Sequence, residues 1–252
     1  LHFQGKKLAV TICEDIWNLG DDPMYRVCPM DELVKQEPDI MINLSASPFD
    51  YVHADGRKGT VKQNVLKYKL PMVYCNTIGS QTEIVFDGGS LVMNANGDLV
   101  DEMPYFKESL TAVTWDDNGL FSEKIVRPAA QVPLMEEVIP TSFEHEKNID
   151  KIYEALLLGI RDYFSKMGFT KAIVASSGGI DSAVVLAIAC EALGAENVHA
   201  LLLPSQFSTN HSVSDAEQLS RNLGNRYDII PIKDVFESYE VALSPVFKDL
   251  PF

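Results

Sequence analysis

Apolar positions along the chain follow two regimes. As far as about residue 115 they come in short β-branched runs: "KKLAVTI", "DIMINLSAS", "MVYCNTIG", "EIVFDGGSLVMNANGDLVDEM" and "TAVTW". Runs of this kind predict strands, and Asn96-Gly97 between "SLVM" and "DLVDE" predicts a hairpin turn. Helices are expected between the runs, over about 29–36 and about 57–69. The opening "LHFQG" has two readings. One is the scar of a cleavable tag. The other is a strand, Leu1 to Phe3, turning through Gln4 and Gly5 into a strand from Lys7 to Ile12, in which case the chain begins inside a domain.

The pattern then changes. "RPAAQVPLMEEVIPTSFEHE" has three prolines and no periodicity, which predicts an interdomain linker. Beyond it, Ile149, Ile152, Tyr153, Leu156, Leu157, Ile160 and Phe164 recur at helical spacing, and Gly168 closes that helix. Strand 171–176, helix about 182–193, strand 198–203, helix about 212–223 and strand about 227–232 follow. This alternation predicts a parallel sheet with helices on its faces, an α/β fold. The domain expectation is therefore 1–125, a linker over 126–143, and 144–252.

Composition narrows the classes. A net charge of −15 argues against nucleic acid and anionic membranes as partners. Cys13, Cys28, Cys75 and Cys190 are scattered without C-x-x-C spacing, so neither a zinc site nor a disulfide framework is indicated. No apolar run reaches the roughly 18 residues of a membrane span, and the expectation is a cytoplasmic protein.

Two stretches carry candidate chemistry. In "KAIVASSGGIDSAVVLAIAC" a strand runs into Ser176, Ser177, Gly178 and Gly179, then Ile180, Asp181 and Ser182 open a helix. The carboxyl end of a parallel strand is where such sheets bind ligands. Two glycines let backbone approach closely, and serine hydroxyls with helix-start N–H groups suit an anion. Asp181 would repel a bare phosphate and makes sense with a divalent cation between them. The G-K-[ST] ending of a Walker loop is missing. The plain alternative is that Ser177 and Asp181 cap an ordinary helix. Farther on, Ser205 to Ser208 either form a second wall for a nucleotide or cap the next helix.

The second stretch is "LAVTICEDIWN", with Cys13 at the end of an apolar strand, followed by Glu14 and Asp15. Cysteine is often a small buried hydrophobe. As a nucleophile it needs a base or cation to favour the thiolate, which two adjacent carboxylates oppose. His2 and His53 are available, but nothing in the sequence places either one near the thiol.

"SGGIDS" resembles the pyrophosphate loop of the N-type ATP pyrophosphatases, and "ICEDIW", "NLSASPF" and "VFDGGS" resemble the nitrilase-type glutaminase domain of glutamine-dependent NAD synthetases. "EALLLGIRDYFSKMGF" and "LLLPSQFSTNHSVSDAEQLSRNLG" are similar to the synthetase domain of the same family. The resemblance implies the C-terminal part of a nitrilase-like αββα sandwich, followed by the start of a doubly wound, adenine nucleotide alpha hydrolase-like domain. It implies Cys13 as the nucleophile that takes ammonia from glutamine, with the Glu14 N–H facing the oxyanion. Ser47 and Arg57 would contact glutamine, with Lys58 as the alternative because the segment after Ser47 is longer than the family pattern. ATP would lie on Ser177, Gly178, Gly179, Ile180, Asp181 and Ser182, with Mg2+ on Asp181. Ser176 departs from the apolar residue usual before "SGG". The implied activity is amidation of nicotinic acid adenine dinucleotide to NAD, with homo-oligomers of the full-length protein. The family's glutaminase Glu and Lys would lie before Leu1, and further synthetase contacts after Phe252, so the chain alone is expected to be inactive. Another ATP-pyrophosphatase amidotransferase, or a nucleotide-binding protein whose catalytic sets have decayed, are the alternatives.

Overall fold

The runs that read as strands do pair, in an order that brings distant residues together. The computed structural model describes residues 1–19, 25–50, 53–116, 121–125 and 149–247. The chain divides into two units, Leu1–Gly159 and Ile160–Phe252. The expected linker at 126–143 lies outside the described residues.

In chain order the first unit holds β1 (His2–Phe3), β2 (Lys6–Ile12), α1 (Pro29–Leu33), β3 (Ile40–Ser45), α2 (His53–Tyr68), β4 (Met72–Asn76), β5 (Ile78–Gln81), β6 (Ile84–Asp87), β7 (Leu91–Met93), β8 (Leu99–Glu102), β9 (Ala112–Trp115) and β10 (Phe121–Ile125). β1 folds back on β2 through Gln4 (φ 48) and Gly5 (φ 78), both left-handed, as a two-residue hairpin of primed type requires. Six strands form one mixed sheet, ordered β1-β2-β3-β4-β7-β8. β2, β3 and β4 run parallel, and the remaining pairings are antiparallel. Parallel neighbours need a crossover, and α1 and α2 lie in those connections.

One face of this sheet carries the larger core, and on the other Ile40 and Val92 pack with Phe121 of β10. Ala9, Met41, Met72, Tyr74, Leu91 and Met93 from the strands meet Val61 and Val65 of α2 and Met30 of α1. Strand side chains alternate between faces, so Val10, Ile12 and Leu44 point the other way and are exposed. The run from 83 to 103 is not one strand. It breaks at Gly88 (φ 73) and Gly89 (φ 64), which turn β6 away from β7 so that β6 pairs with β5 instead.

The second unit continues with α3 (Ile149–Met167), within which the division falls, then β11 (Ala172–Ala175), α4 (Ile180–Leu193), β12 (Val198–Leu202), α5 (Asn210–Leu223), β13 (Arg226–Ile229) and α6 (Lys233–Leu243). β11, β12 and β13 are parallel and adjacent in chain order. Leu186, Ala189 and Cys190 of α4 and Ala216 of α5 cover Val198, Ala200 and Leu202 of β12. These strand residues share one face, so both crossover helices lie on that side. On the other face, Ile173 of β11, paired with His199, is exposed. The ends of α5 are set by local chemistry. Thr209 caps α5 by accepting from the Ser212 N–H at 3.2 Å, and Gly224 (φ 77) ends it in the left-handed conformation. Among the described residues no helix is long and apolar enough to cross a membrane.

Candidate active site

The first candidate centre forms where β2 ends. Cys13 begins a 3-10 turn, Cys13–Ile16, with its backbone at φ 48. A side-chain-bearing residue in this region carries a strain of about 1–2 kcal/mol, so the surroundings must hold it there. Asn43 of β3 donates to the Cys13 carbonyl at 3.3 Å and to Thr11 Oγ1 at 3.0 Å. Ser45 Oγ in turn donates to Asn43 Oδ1 at 2.6 Å. Asn64 of α2 donates to the Ile16 carbonyl at 2.8 Å. The turn is thus gripped at both ends by buried carboxamides. The first N–H groups of a helical turn, the Glu14 N–H among them, have no partner within it.

The two carboxylates after Cys13 are both engaged. Asp15 accepts from the Ile12 N–H at 2.9 Å. Glu14 accepts from the Tyr25 hydroxyl, and that bond, with the carboxylate charge, raises the Tyr25 pKa. Tyr25 is held by Asn18, which donates to its carbonyl at 2.8 Å and accepts its N–H at 3.2 Å. Cys13 is half-buried and lines an open cleft of about 720 Å³ with Ser45, Ala46, Cys75, Asn76 and Glu108 among its neighbours. The His53 side chain is outside what is described, and His2 is exposed on β1.

Ser47 and Arg57 lie in a buried polar network behind this cleft. Ser47 is buried. Its N–H is accepted by Asn76 Oδ1 at 2.9 Å. Arg57 does not face the open cleft. Its guanidinium is 1% exposed, and its two terminal nitrogens donate to Asp87 at 2.6 and 2.5 Å. Burial alone would depress the Arg57 pKa, but the Asp87 carboxylate more than reverses this and raises it. Lys58, the alternative basic residue, pairs with Glu102 at 2.8 Å. The Tyr74 hydroxyl is fully buried, and burial raises its pKa against the opposing influence of Ser45, Arg57 and Ser47. Asp87, Asn76 and Tyr25 were not legible as site residues. The one available signal was a polar side chain at the end of an apolar strand, as at Asn76.

The second centre is the loop between β11 and α4. α4 begins at Ile180 with Gly179, which has no side chain to cap with, at its cap position, and the Gly179 N–H donates to Ser177 Oγ at 3.3 Å. Neither Ser177 nor Asp181 is a helix cap. Ser182 Oγ instead receives the Ser177 N–H at 3.1 Å, lies 3.0 Å from Ser177 Oγ and donates to the Gly179 carbonyl at 3.0 Å. Asp181, in the first turn, is exposed and has no hydrogen-bond or ion-pair partner among the described residues. Gly178 (φ 81) passes so close to α5 that a Cβ would sit 2.0 Å from the Ser212 carbonyl oxygen. Ser176, Ser177, Ser208 and Ser212 line a small pocket of about 80 Å³ there. Ser208 therefore does face the loop, and Ser212, inside the next helix, is an addition.

The fit to magnesium is chemical. Mg2+ keeps several waters and takes one or two protein carboxylates beside substrate phosphates. A single free carboxylate at a helix start matches that demand. Among the described residues no group of three or more His, Cys, Asp or Glu could hold a metal without such help.

Comparison with known proteins places both centres in one context. A family model described as NAD synthase matches residues 152–250. The glutamine-dependent NAD(+) synthetase of Synechocystis is 36% identical over 99% of this chain and 43% of its own length. The enzyme of the same name from Thermotoga maritima is 36% identical over 96% of this chain and 44% of its own length. A structure of glutamine-dependent NAD+ synthetase from Acinetobacter baumannii in complex with ADP superposes with a TM-score of 0.82 at 32% identity, covering all of this chain and 44% of that one. The corresponding structure from Cytophaga hutchinsonii gives a TM-score of 0.70 at 15% identity, a likeness of fold. The chain spans less than half the length of these relatives.

Proposed function

Because the chain is related over nearly its whole length to the glutamine-dependent NAD(+) synthetases, we propose that it is a segment of such an enzyme. In this reading residues 1–125 are the C-terminal part of a nitrilase-like glutaminase domain, 126–143 is the linker, and 144–252 begins a doubly wound synthetase domain. The intact protein is a cytoplasmic homo-oligomer. The observation that carries the reading is Cys13, a thiol held at φ 48 on the edge of an open cleft.

Cys13 attacks the side-chain amide carbon of glutamine, and the oxyanion that forms is met by the Glu14 N–H. Ammonia leaves, and water then cleaves the thioester to glutamate. The general base and the cation for these steps are expected from residues outside this chain, because none described here is aimed at the thiol. Ser47 orients glutamine. Arg57 serves the same site from behind, by fixing Asp87.

In the second centre Ser177, Gly178, Gly179, Ile180 and Ser182 would surround the pyrophosphate of ATP, and Asp181 would hold Mg2+, which would supply positive charge to the phosphates. The loop's N–H groups and hydroxyls orient the α-phosphorus for attack by the carboxylate of nicotinic acid adenine dinucleotide. Pyrophosphate leaves, ammonia displaces AMP from the acyl adenylate, and the amide of NAD results.

The test is a double dissociation in the full-length protein. Cys13→Ala should abolish NAD formation from glutamine and leave formation from added ammonia intact. Asp181→Asn should abolish both while ammonia release from glutamine continues. Equal loss of both activities in Cys13→Ala would make the thiol structural. Normal ammonia-dependent synthesis in Asp181→Asn would remove the cation role. The 252-residue chain by itself should release no measurable ammonia from glutamine, and turnover that disappears with Cys13→Ala would show that its own residues supply the base.

A further inference from the structure

Behind the Cys13 cleft, a single carboxamide joins three chain segments that are remote in sequence. Asn76 ends β4, is 7% exposed, and lines the cleft with Cys13. Its Oδ1 accepts the Ser47 N–H at 2.9 Å. Its Nδ2 donates to the Gly88 carbonyl at 2.8 Å and, more weakly, to the Ser47 carbonyl and Asp87 Oδ1, both at 3.4 Å. Its own backbone N–H donates to Ser90 Oγ at 2.9 Å. Asp87 in turn carries the buried Arg57 pair. The turn after β3, the Gly88–Gly89 turn after β6 and helix α2 thus converge on one side chain.

The chemistry of that position is restrictive. Ser47 presents both a backbone donor and a backbone acceptor to it, so a partner must accept and donate at once. A carboxylate can accept but not donate, and would place a second negative charge beside Asp87. An aliphatic residue does neither and leaves buried polar groups unpaired. A hydroxyl accepts and donates but has a single hydrogen, whereas the amide offers two donor hydrogens and an acceptor for Ser47, Gly88 and Asp87 together.

We infer that Asn76 is the positioning residue of the proposed glutamine site: it fixes the backbone of Ser47, and so the adjoining Ser45–Ala46 wall of the cleft, relative to Cys13. This rests on the glutaminase reading above. Asn76 does not act on the reacting atoms, so its loss acts on glutamine capture more than on turnover.

The measurement is steady-state NAD synthesis by the full-length protein, with glutamine or ammonia as nitrogen source, for Asn76→Asp and Asn76→Ser. The expected result is a KM for glutamine raised about tenfold or more, the equivalent of one buried hydrogen bond. The kcat with glutamine should fall by less than about threefold, and ammonia-dependent synthesis should be unchanged. Coupling gives the second readout. Ser47→Ala should add little to the KM of Asn76→Asp, because both changes act through one wall.

Unchanged KM in both variants would overturn the inference, as would full additivity with Ser47→Ala. Equal loss of glutamine- and ammonia-dependent rates with a lowered melting temperature would make Asn76 a structural residue only. Failure of the glutaminase reading is distinct, since it would appear as glutamine-dependent synthesis that survives Cys13→Ala.

Discussion

The Cys13 turn and the loop from Ser176 to Ser182 solve the same geometric problem with opposite means. Each follows the carboxyl end of a strand in parallel pairing, each opens a helical turn, and each has a residue at positive φ. In the loop that residue is Gly178, which needs to lack a side chain twice over: for its φ of 81, and for its approach to the Ser212 carbonyl. In the turn it is Cys13, where glycine would relieve the strain and the chain nevertheless carries a thiol. The loop is shaped so that backbone can come close to something, whereas the turn is shaped so that one side chain can. The first suits a polyanion gripped by N–H groups, the second a nucleophile.

The largest effect that tests this contrast is at Gly178. Gly178→Ala should destabilise the protein by more than about 2 kcal/mol, because backbone must move as well as adopt a strained φ. Gly224 makes the control, since it also has positive φ (77) but open space around it. Gly224→Ala should lose only about 1 kcal/mol, the conformational part alone. Denaturant titration of both variants gives the difference, and equal losses would mean that the approach to Ser212 does not matter. Ammonia-dependent synthesis should fail in Gly178→Ala alone.

A smaller effect sharpens the other side. Cys13→Gly should be more stable than Cys13→Ala by roughly 1 kcal/mol, since glycine accepts positive φ without penalty, while both lack glutamine-dependent activity. If alanine were as stable as glycine at position 13, the turn would not be strained, and the argument from strain to function would fall. The smallest expected change is at Ser182. Its hydroxyl bonds only to the loop itself, so Ser182→Ala should shift stability by less than about 1 kcal/mol. The KM for ATP should rise several-fold, and an unchanged KM would make the hydroxyl a loop brace only.

Much of this was legible residue by residue, and the failures have a common cause. The periodic stretch starting at Ile149 forms a helix that ends at Met167, with Gly168 (φ 72) beyond it as the pattern demands. α4 starts at Ile180, two residues before the expected 182, because its cap is the backbone of Gly179 and no polar side chain marks the boundary. α2 likewise begins at His53, ahead of the first apolar repeat at Val61. The family resemblance alone sets Arg57 beside glutamine and says nothing of its neighbours in the fold. Its actual partner, Asp87, lies 30 positions away across a crossover, and no local periodicity reports a contact of that range. The same holds for Ser212 over Gly178, where one helix start is built against another loop's backbone.

The cleft also fixes how this protein will answer to thiol reagents. Cys75, exposed at the end of β4, lines the same cleft as the half-buried Cys13, and Leu44 sits beside it on the neighbouring strand. Cys28 and Cys190 are buried, and burial raises the Cys190 pKa and leaves it less ionised. Of the four sulfurs in this chain, maleimide or iodoacetamide will therefore reach two, Cys13 and Cys75. Inactivation by an alkylating agent will report occupation of the cleft by an adduct on either one. Peptide mapping of the adducts, or a Cys75→Ser background, is required before loss of activity can be assigned to Cys13.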